Sequence, residues 1–167
     1  MSENSHCADC GAPYGPVAGW PRTCPSCGAT AYRNPLPVAV VLQPVHDADG
    51  AGLVVITRTV EPAAGRAALP GGFVDLGETW QEAAVRELRE ETRIEADAAA
   101  VRLADVLSGS TGHLLVFALL PPRAAATLPP SVPTGETAGW HLLRGPADLA
   151  FPLHTEVVAN WFAGRYA

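Results

Sequence analysis

The segment Leu69-Pro70-Gly71-Gly72-Phe73, then Glu78, then Arg86-Glu87-Leu88-Arg89-Glu90-Glu91 sets a glycine pair ahead of an acidic, helix-forming run. Positions 87, 90 and 91 differ by three and four, so on a helix these glutamates share one face. Like charges in that array repel, and a chain that builds it needs a cation or abundant water there. Carboxylate oxygens suit Mg²⁺. The cluster therefore points to metal-assisted chemistry on phosphate. Thr79, with Glu82 three residues on, predicts a capping box opening a helix over about 79–92. Trp80, Ala83, Ala84 and Leu88 form its inner face, and the glutamates another.

Written out, the pattern is Gly72, five residues, Glu78, seven residues, Arg86-Glu87-Leu88, one residue, Glu90-Glu91, one residue, Arg93, Ile94. This resembles the Nudix box. The lead-in Arg58, Glu61-Pro62, Gly65 and Leu69 to Phe73 is also similar. Two positions depart: Arg93 stands where the family has glycine, and Ala67 where it has tryptophan. The resemblance runs from residue 37 to the C-terminus. It implies an α/β fold, an α/β/α sandwich around a mixed sheet. It also implies hydrolysis of the pyrophosphate bond in a nucleoside diphosphate linked to another moiety. By the same resemblance, Glu87, Glu90 and Glu91 hold Mg²⁺ or Mn²⁺, and the carbonyl of Gly71 or Gly72 adds a ligand. Arg86 pairs with Glu78 and Glu87, fixing the loop against the helix. Which carboxylate is the general base is left open. Glu136 resembles an acidic position that some relatives use as base or extra ligand. Without metal, at least one of three crowded carboxylates should have a raised pKa.

All four cysteines fall in the first thirty residues, as Cys7-Ala8-Asp9-Cys10, thirteen residues, and Cys24-Pro25-Ser26-Cys27. Paired Cys-x-x-Cys knuckles at this spacing predict a closed, structural four-thiolate Zn²⁺ site. So short a segment buries too little apolar surface to fold alone, and the metal supplies the difference. Disulfides fit poorly with an N-terminus showing no secretion signal. Tyr14 and Trp20 are expected over this ribbon with polar edges exposed. Residues 1–34 thus read as a zinc ribbon and 35–167 as the hydrolase domain, joined at Pro35 and Pro37. The combination resembles a Nudix subgroup acting on dinucleotides such as NADH and FAD, or on ADP-ribose. NADH pyrophosphatases carry a Ser-Gln-Pro-Trp-Pro-Phe-Pro type motif after the box. This chain has Leu107-Ser108-Gly109-Ser110-Thr111-Gly112-His113 instead, which argues against NADH.

A net charge of −6 disfavours tight nonspecific nucleic-acid binding. The longest apolar run, Leu114 to Leu120, is too short to span a membrane. The expected partner is a small-molecule nucleotide and the expected compartment the cytoplasm. Homodimerisation, common in relatives, is left open. Val38–Leu42 and Leu53–Arg58 read as strands forming a hairpin across the Asp49-Gly50 turn. Val101–Leu107 and His113–Leu120 read as strands whose turn, Ser108–Gly112, lies near the substrate. Residues 121–135 read as a loop or lid, Trp140–Leu143 as a strand, and Phe151–Arg165 as a closing helix. Trp140 is read as core, His113 as a strand-end residue, and His154 with Glu156 as the exposed start of the last helix. Two rival functions stand beside the leading one: a (d)NTP pyrophosphohydrolase, and a non-catalytic nucleotide-binding regulatory module.

Overall fold

The structure is a computed structural model that describes residues 5–16 and 19–166. Residues 1–4, 17 and 18 of the expected ribbon, and residue 167, lie outside the described residues. The chain divides into two compact units, Met1–Pro35 and Leu36–Ala167.

In the first unit, β1 (Arg22–Thr23) pairs antiparallel with β2 (Thr30–Ala31). Its two knuckles turn alike. Cys7 N–H donates to the Ala12 carbonyl at 2.8 Å and Gly11 N–H to the Cys7 carbonyl at 3.0 Å. Cys24 N–H donates to Ala29 at 2.8 Å and Gly28 N–H to Cys24 at 2.9 Å. Gly11 and Gly28, at φ 73° and 76°, supply the left-handed step that closes each turn. Tyr14 is not placed with an exposed edge: it is 4% exposed and packs with Cys7 and Cys24. Trp20 instead lies under the Arg22 guanidinium, 4.5 Å from its ring.

The second unit runs β3 (Leu36–Leu42), β4 (Pro44–Asp47), β5 (Gly50–Arg58), β6 (Ala67–Ala68), β7 (Gly71–Phe73) and α1 (Trp80–Thr92). It continues with β8 (Arg102–Ser108), β9 (His113–Leu119), β10 (Arg123–Ala124), β11 (Thr137–Leu143) and α2 (Pro152–Phe162). One sheet has the order β7-β3-β9-β8, with β3 and β9 parallel. The other has the order β10-β4-β5-β11, with β6 added to β5. Alternation along β3 divides the core. Ala39 and Val41 pack with Ala83, Ala84 and Leu88 of α1. Val40 and Leu42 pack with Phe117 and with Val157 and Val158 of α2. This period of two puts a helix on each face of the sheet layer, the sandwich that the sequence implied. Each Val, Leu or Phe among them contributes about 1.5–3 kcal/mol of burial, and the alanines less.

The expected hairpin has a different partner. β5 pairs with β4, Asp47 opposite Gly50, whereas Val38–Leu42 lies in the other sheet between β7 and β9. The chain changes sheets at Gln43-Pro44. Gln43 is fully buried; its Nε2 donates to the carbonyls of Pro44 at 2.8 Å and Pro121 at 3.0 Å, while its backbone carbonyl accepts from Val54 N–H. Pro44 has no N–H to continue a ladder, so the crossing falls there.

The capping box is present: Glu82 N–H donates to Thr79 Oγ1 at 3.2 Å, and Thr79 N–H to Glu82 Oε2 at 2.7 Å. At the other end Arg93 adopts φ 64°, ψ 11°, and its N–H caps the Arg89 carbonyl. The arginine thus takes the left-handed form natural to glycine, at a cost of about 1–2 kcal/mol. Residues 121–135 are more than a loop. Arg123–Ala124 joins β4 as a parallel strand, and Arg123 Nη1 donates to the Glu95 carbonyl at 2.7 Å.

Candidate functional site

α1 and β7 together present the acidic stripe. Arg86 is its organiser. Its Nε and Nη2 donate to Glu78 at 3.1 and 2.7 Å, its Nη1 to Glu87 Oε1 at 2.8 Å, and its Nη2 to the Phe73 carbonyl at 3.0 Å. The loop is therefore bound to the helix through one guanidinium fork. Arg86 and the Asp75 amide hold the Glu78 carboxyl below its ordinary range. Glu87 sits against Gly72, where an added Cβ would lie 2.3 Å from Glu87 Oε1. Gly71 is equally confined, since a Cβ there would meet the Ala39 carbonyl at 2.4 Å. These glycines are needed for close approach of backbone to strand and carboxylate.

The three stripe glutamates differ in environment. The Glu90 side chain is 52% exposed, and Arg86 Nη1 approaches it at 3.4 Å. Burial raises the Glu87 carboxyl, although Arg86 opposes the shift. Glu91 is 5% exposed, and its Oε2 accepts the Gly71 N–H at 2.9 Å. Burial pushes it up to about 8; the Gly71 amide opposes this, and repulsion from Glu87 and Glu136 adds to it. One amide donor does not compensate a buried carboxylate, and a divalent cation would. The residues thus fit the metal that their spacing suggested. Glu136 is exposed and reaches the stripe through its charge rather than a contact.

Gly71 and Gly72 also edge a cavity of about 860 Å³. Val40 and Leu115 line its sheet side, the 108–111 turn one rim, and Phe151 and His154 the opposite wall. Phe73 and His113 stand 5.6 Å apart at ring centroids and line it too. The volume suits a ligand of nucleotide size.

In the first unit the ligating sulfurs of Cys7, Cys10, Cys24 and Cys27 all lie within 4.8 Å of one another. Cys7 and Cys27 sulfurs are 3.7 Å apart, and those of Cys10 and Cys24 3.6 Å. A disulfide needs about 2.05 Å, so these are free thiols. Sulfurs about 2.3 Å from a tetrahedral centre are about 3.8 Å apart, and the cluster fits that spacing. The amides of Cys27 and Ser26 hold the Cys24 thiol down at about 7. His6 is absent from the cluster and pairs with Ser5.

A family model described as the NUDIX domain matches residues 35–162. The chain belongs to the Nudix family. An ADP-ribose pyrophosphatase of Methanocaldococcus jannaschii is 46% identical over 61 residues, 36% of this chain and 36% of that protein. The chain thus spans about a third of the length of that curated relative. Among solved structures, a NUDIX hydrolase from Nitrosomonas europaea aligns at TM-score 0.69 and 22% identity, over 96% of this chain and 92% of its own. The NUDIX domain of Shewanella oneidensis NrtR, complexed with ADP ribose, aligns at 0.55 and 14%, over 66% and 73%. At these identities the two neighbours bear on the fold alone.

Within the Nudix unit the structure corrects one site reading. His154 is not exposed: it is 5% accessible, and its Nδ1 accepts the Leu69 N–H at 3.3 Å. Arg58, read from sequence as part of the lead-in, lines the cavity with its guanidinium 5.1 Å from the Phe151 ring. No local pattern announces the His154 contact, which spans 85 residues of chain. Trp140 packs partly buried against the core, as expected, with its Nε1 unpartnered among the described residues.

Proposed function

We propose that the Nudix unit hydrolyses the pyrophosphate bond of a nucleoside diphosphate linked to another moiety, with ADP-ribose or a dinucleotide cofactor as preferred substrate class. The observation that carries this reading is the position of Glu87 and Glu91 against Gly72 and Gly71, at the edge of a cavity of about 860 Å³. Glu87, Glu90 and Glu91 would hold Mg²⁺ or Mn²⁺, with the Gly71 or Gly72 carbonyl as a further ligand. Bound there, the ion neutralises diphosphate charge and makes water a better nucleophile. Arg86 keeps the Glu87 carboxylate turned toward the glycines, and the Gly71 amide does the same for Glu91. Water attacks one phosphorus, the bridging P–O bond breaks, and a stripe carboxylate or Glu136 takes the water's proton. The products are a nucleoside monophosphate and a second phosphorylated fragment.

In this proposal the four thiols hold a structural Zn²⁺ that folds the first unit, and chemistry belongs to the second. A reducing compartment, the cytoplasm, suits the thiols. Among the described residues no helix is long and apolar enough to cross a membrane. The partner is a small-molecule nucleotide; a homodimer would leave this assignment unchanged.

A product-resolved screen of ADP-ribose, FAD, NADH and nucleoside triphosphates with Mg²⁺ and Mn²⁺ tests the reading. AMP release from ADP-ribose or FAD is the expected result. Triphosphates outcompeting every linked diphosphate would replace it with the pyrophosphohydrolase of (d)NTPs. Saturable binding with no product under either metal would leave a nucleotide-sensing module.

A further inference from the structure

His154 sits in the first turn of α2, a helix of eleven residues whose N-cap, Phe151, provides no side-chain cap. Its first turn is closed by the Phe151 carbonyl, which accepts from the His154 N–H at 3.0 Å and the Thr155 N–H at 3.1 Å, and Pro152 has no N–H to offer. Leu69 N–H donates to His154 Nδ1, so the ring's proton resides on Nε2. Nε2–H makes no hydrogen bond among the described residues, and His154 lines the cavity. Phe117 and Phe151 hold the ring edge-on, at centroid distances of 6.0 and 5.0 Å. Burial, with a smaller contribution from Arg58, pushes the imidazole down to about 4, so it keeps a single proton at neutral pH.

The Leu69 amide fixes the ring at Nδ1, so the remaining donor gains a partner only from what enters the cavity. The surrounding wall favours one class of ligand atom. Val40, Leu115, Phe151 and Leu153 are apolar, which penalises a desolvated anion at this depth. Arg58, the nearby cation, already donates to the carbonyls of Pro62 at 3.0 Å and Val60 at 3.4 Å.

We infer that His154 Nε2–H, on the wall of the cavity, forms a subsite that reads an uncharged oxygen acceptor, a carbonyl or hydroxyl, on the moiety linked to the diphosphate. The inference rests on the proposed function and adds a specificity-determining residue to it. Leu69 lies two residues before Gly71. The same imidazole therefore couples recognition of the linked moiety to the glycines against which Glu87 and Glu91 pack.

The test uses the full chain with ADP-ribose, FAD and ATP as probes. His154→Phe keeps the aromatic packing and deletes the donor; His154→Gln restores both a donor and an acceptor. For whichever linked diphosphate is hydrolysed, His154→Phe should raise KM about tenfold, more than it lowers kcat, and His154→Gln should recover most of that loss. In the wild-type protein labelled with ¹⁵N-histidine, the free His154 ring should show the Nε2–H tautomer. Adding the bound substrate without metal should move the Nε2–H proton downfield. Hydrolysis with an unmoved Nε2–H signal overturns the subsite and leaves the proposed function standing, whether or not His154→Phe folds. Hydrolysis of none of the probes overturns the function and the subsite with it.

Discussion

The chain builds two cation-ready clusters by opposite means. In the first unit four thiols turn inward until every ligating sulfur lies within 4.8 Å of the others. In the second, three glutamates on one helix face range from 5% exposure at Glu91 to a 52% exposed side chain at Glu90. A closed tetrahedron leaves no position for a reactant, so its binding energy goes into folding. A graded stripe binds less completely, and the glycines it packs against edge a cavity of about 860 Å³. Ligand count alone therefore does not separate a structural cluster from one suited to chemistry; charge left partly uncompensated next to space does.

The harshest test of this contrast removes one thiol. Cys24 is 1% exposed, and its amide and carbonyl both anchor the second knuckle. Cys24→Ser should abolish zinc retention and unfold the first unit, a loss of metal-linked folding free energy on the order of 10 kcal/mol. Metal analysis with hydrogen exchange would read both effects. Unchanged zinc stoichiometry would break the comparison by removing the closed site from it.

Glu91→Gln tests the other side. Turnover should fall by about 10²–10³-fold, as for loss of a principal electrostatic contact in a transition state. Stability of the metal-free protein should move in the opposite direction. Glu91 ordinarily titrates near 4.5 and is pushed up to about 8 in the fold. Between those values the native state binds more protons than the unfolded chain, so stability falls as pH rises. Glutamine removes that decline. With chelator present, the variant should gain stability relative to wild type as pH goes from about 4.5 to about 8. Near-normal turnover, or parallel stability curves, would deny that Glu91 is held in the functional but unfavourable state described here.

Both clusters could be read in the sequence because each is written in short-range spacing. The Cys-x-x-Cys pairs, the stripe at 87, 90 and 91, and the Thr79–Glu82 box each fit within one or two turns of chain. Long-range choices were not legible. An apolar run such as Val38–Leu42 announces a strand but not its neighbours, and no hairpin forms with Leu53–Arg58 because Gln43-Pro44 carries the chain into a different sheet. The burial of His154 is illegible for the same reason. A lone histidine near a helix start looks solvent-exposed until the Leu69 amide, 85 positions away, is brought to its Nδ1. Tyr14 was misjudged because the cysteines it covers come together only when both knuckles fold.

The smallest effect concerns the end of the helix that bears the stripe. Arg93 holds φ 64° while its side chain is exposed, so the left-handed backbone has no compensating packing. Its N–H still caps the Arg89 carbonyl, and that bond survives any substitution that keeps the conformation. Arg93→Gly should therefore raise stability by about 1 kcal/mol, seen as a higher Tm with unchanged turnover. The sign carries the argument. A gain without a change in rate would mean that Glu90 and Glu91 keep their places whichever residue closes the helix. A loss of turnover would mean that the strained arginine itself helps to hold the last turn of the stripe in register, and the open site would then depend on backbone strain as well as on exposed charge.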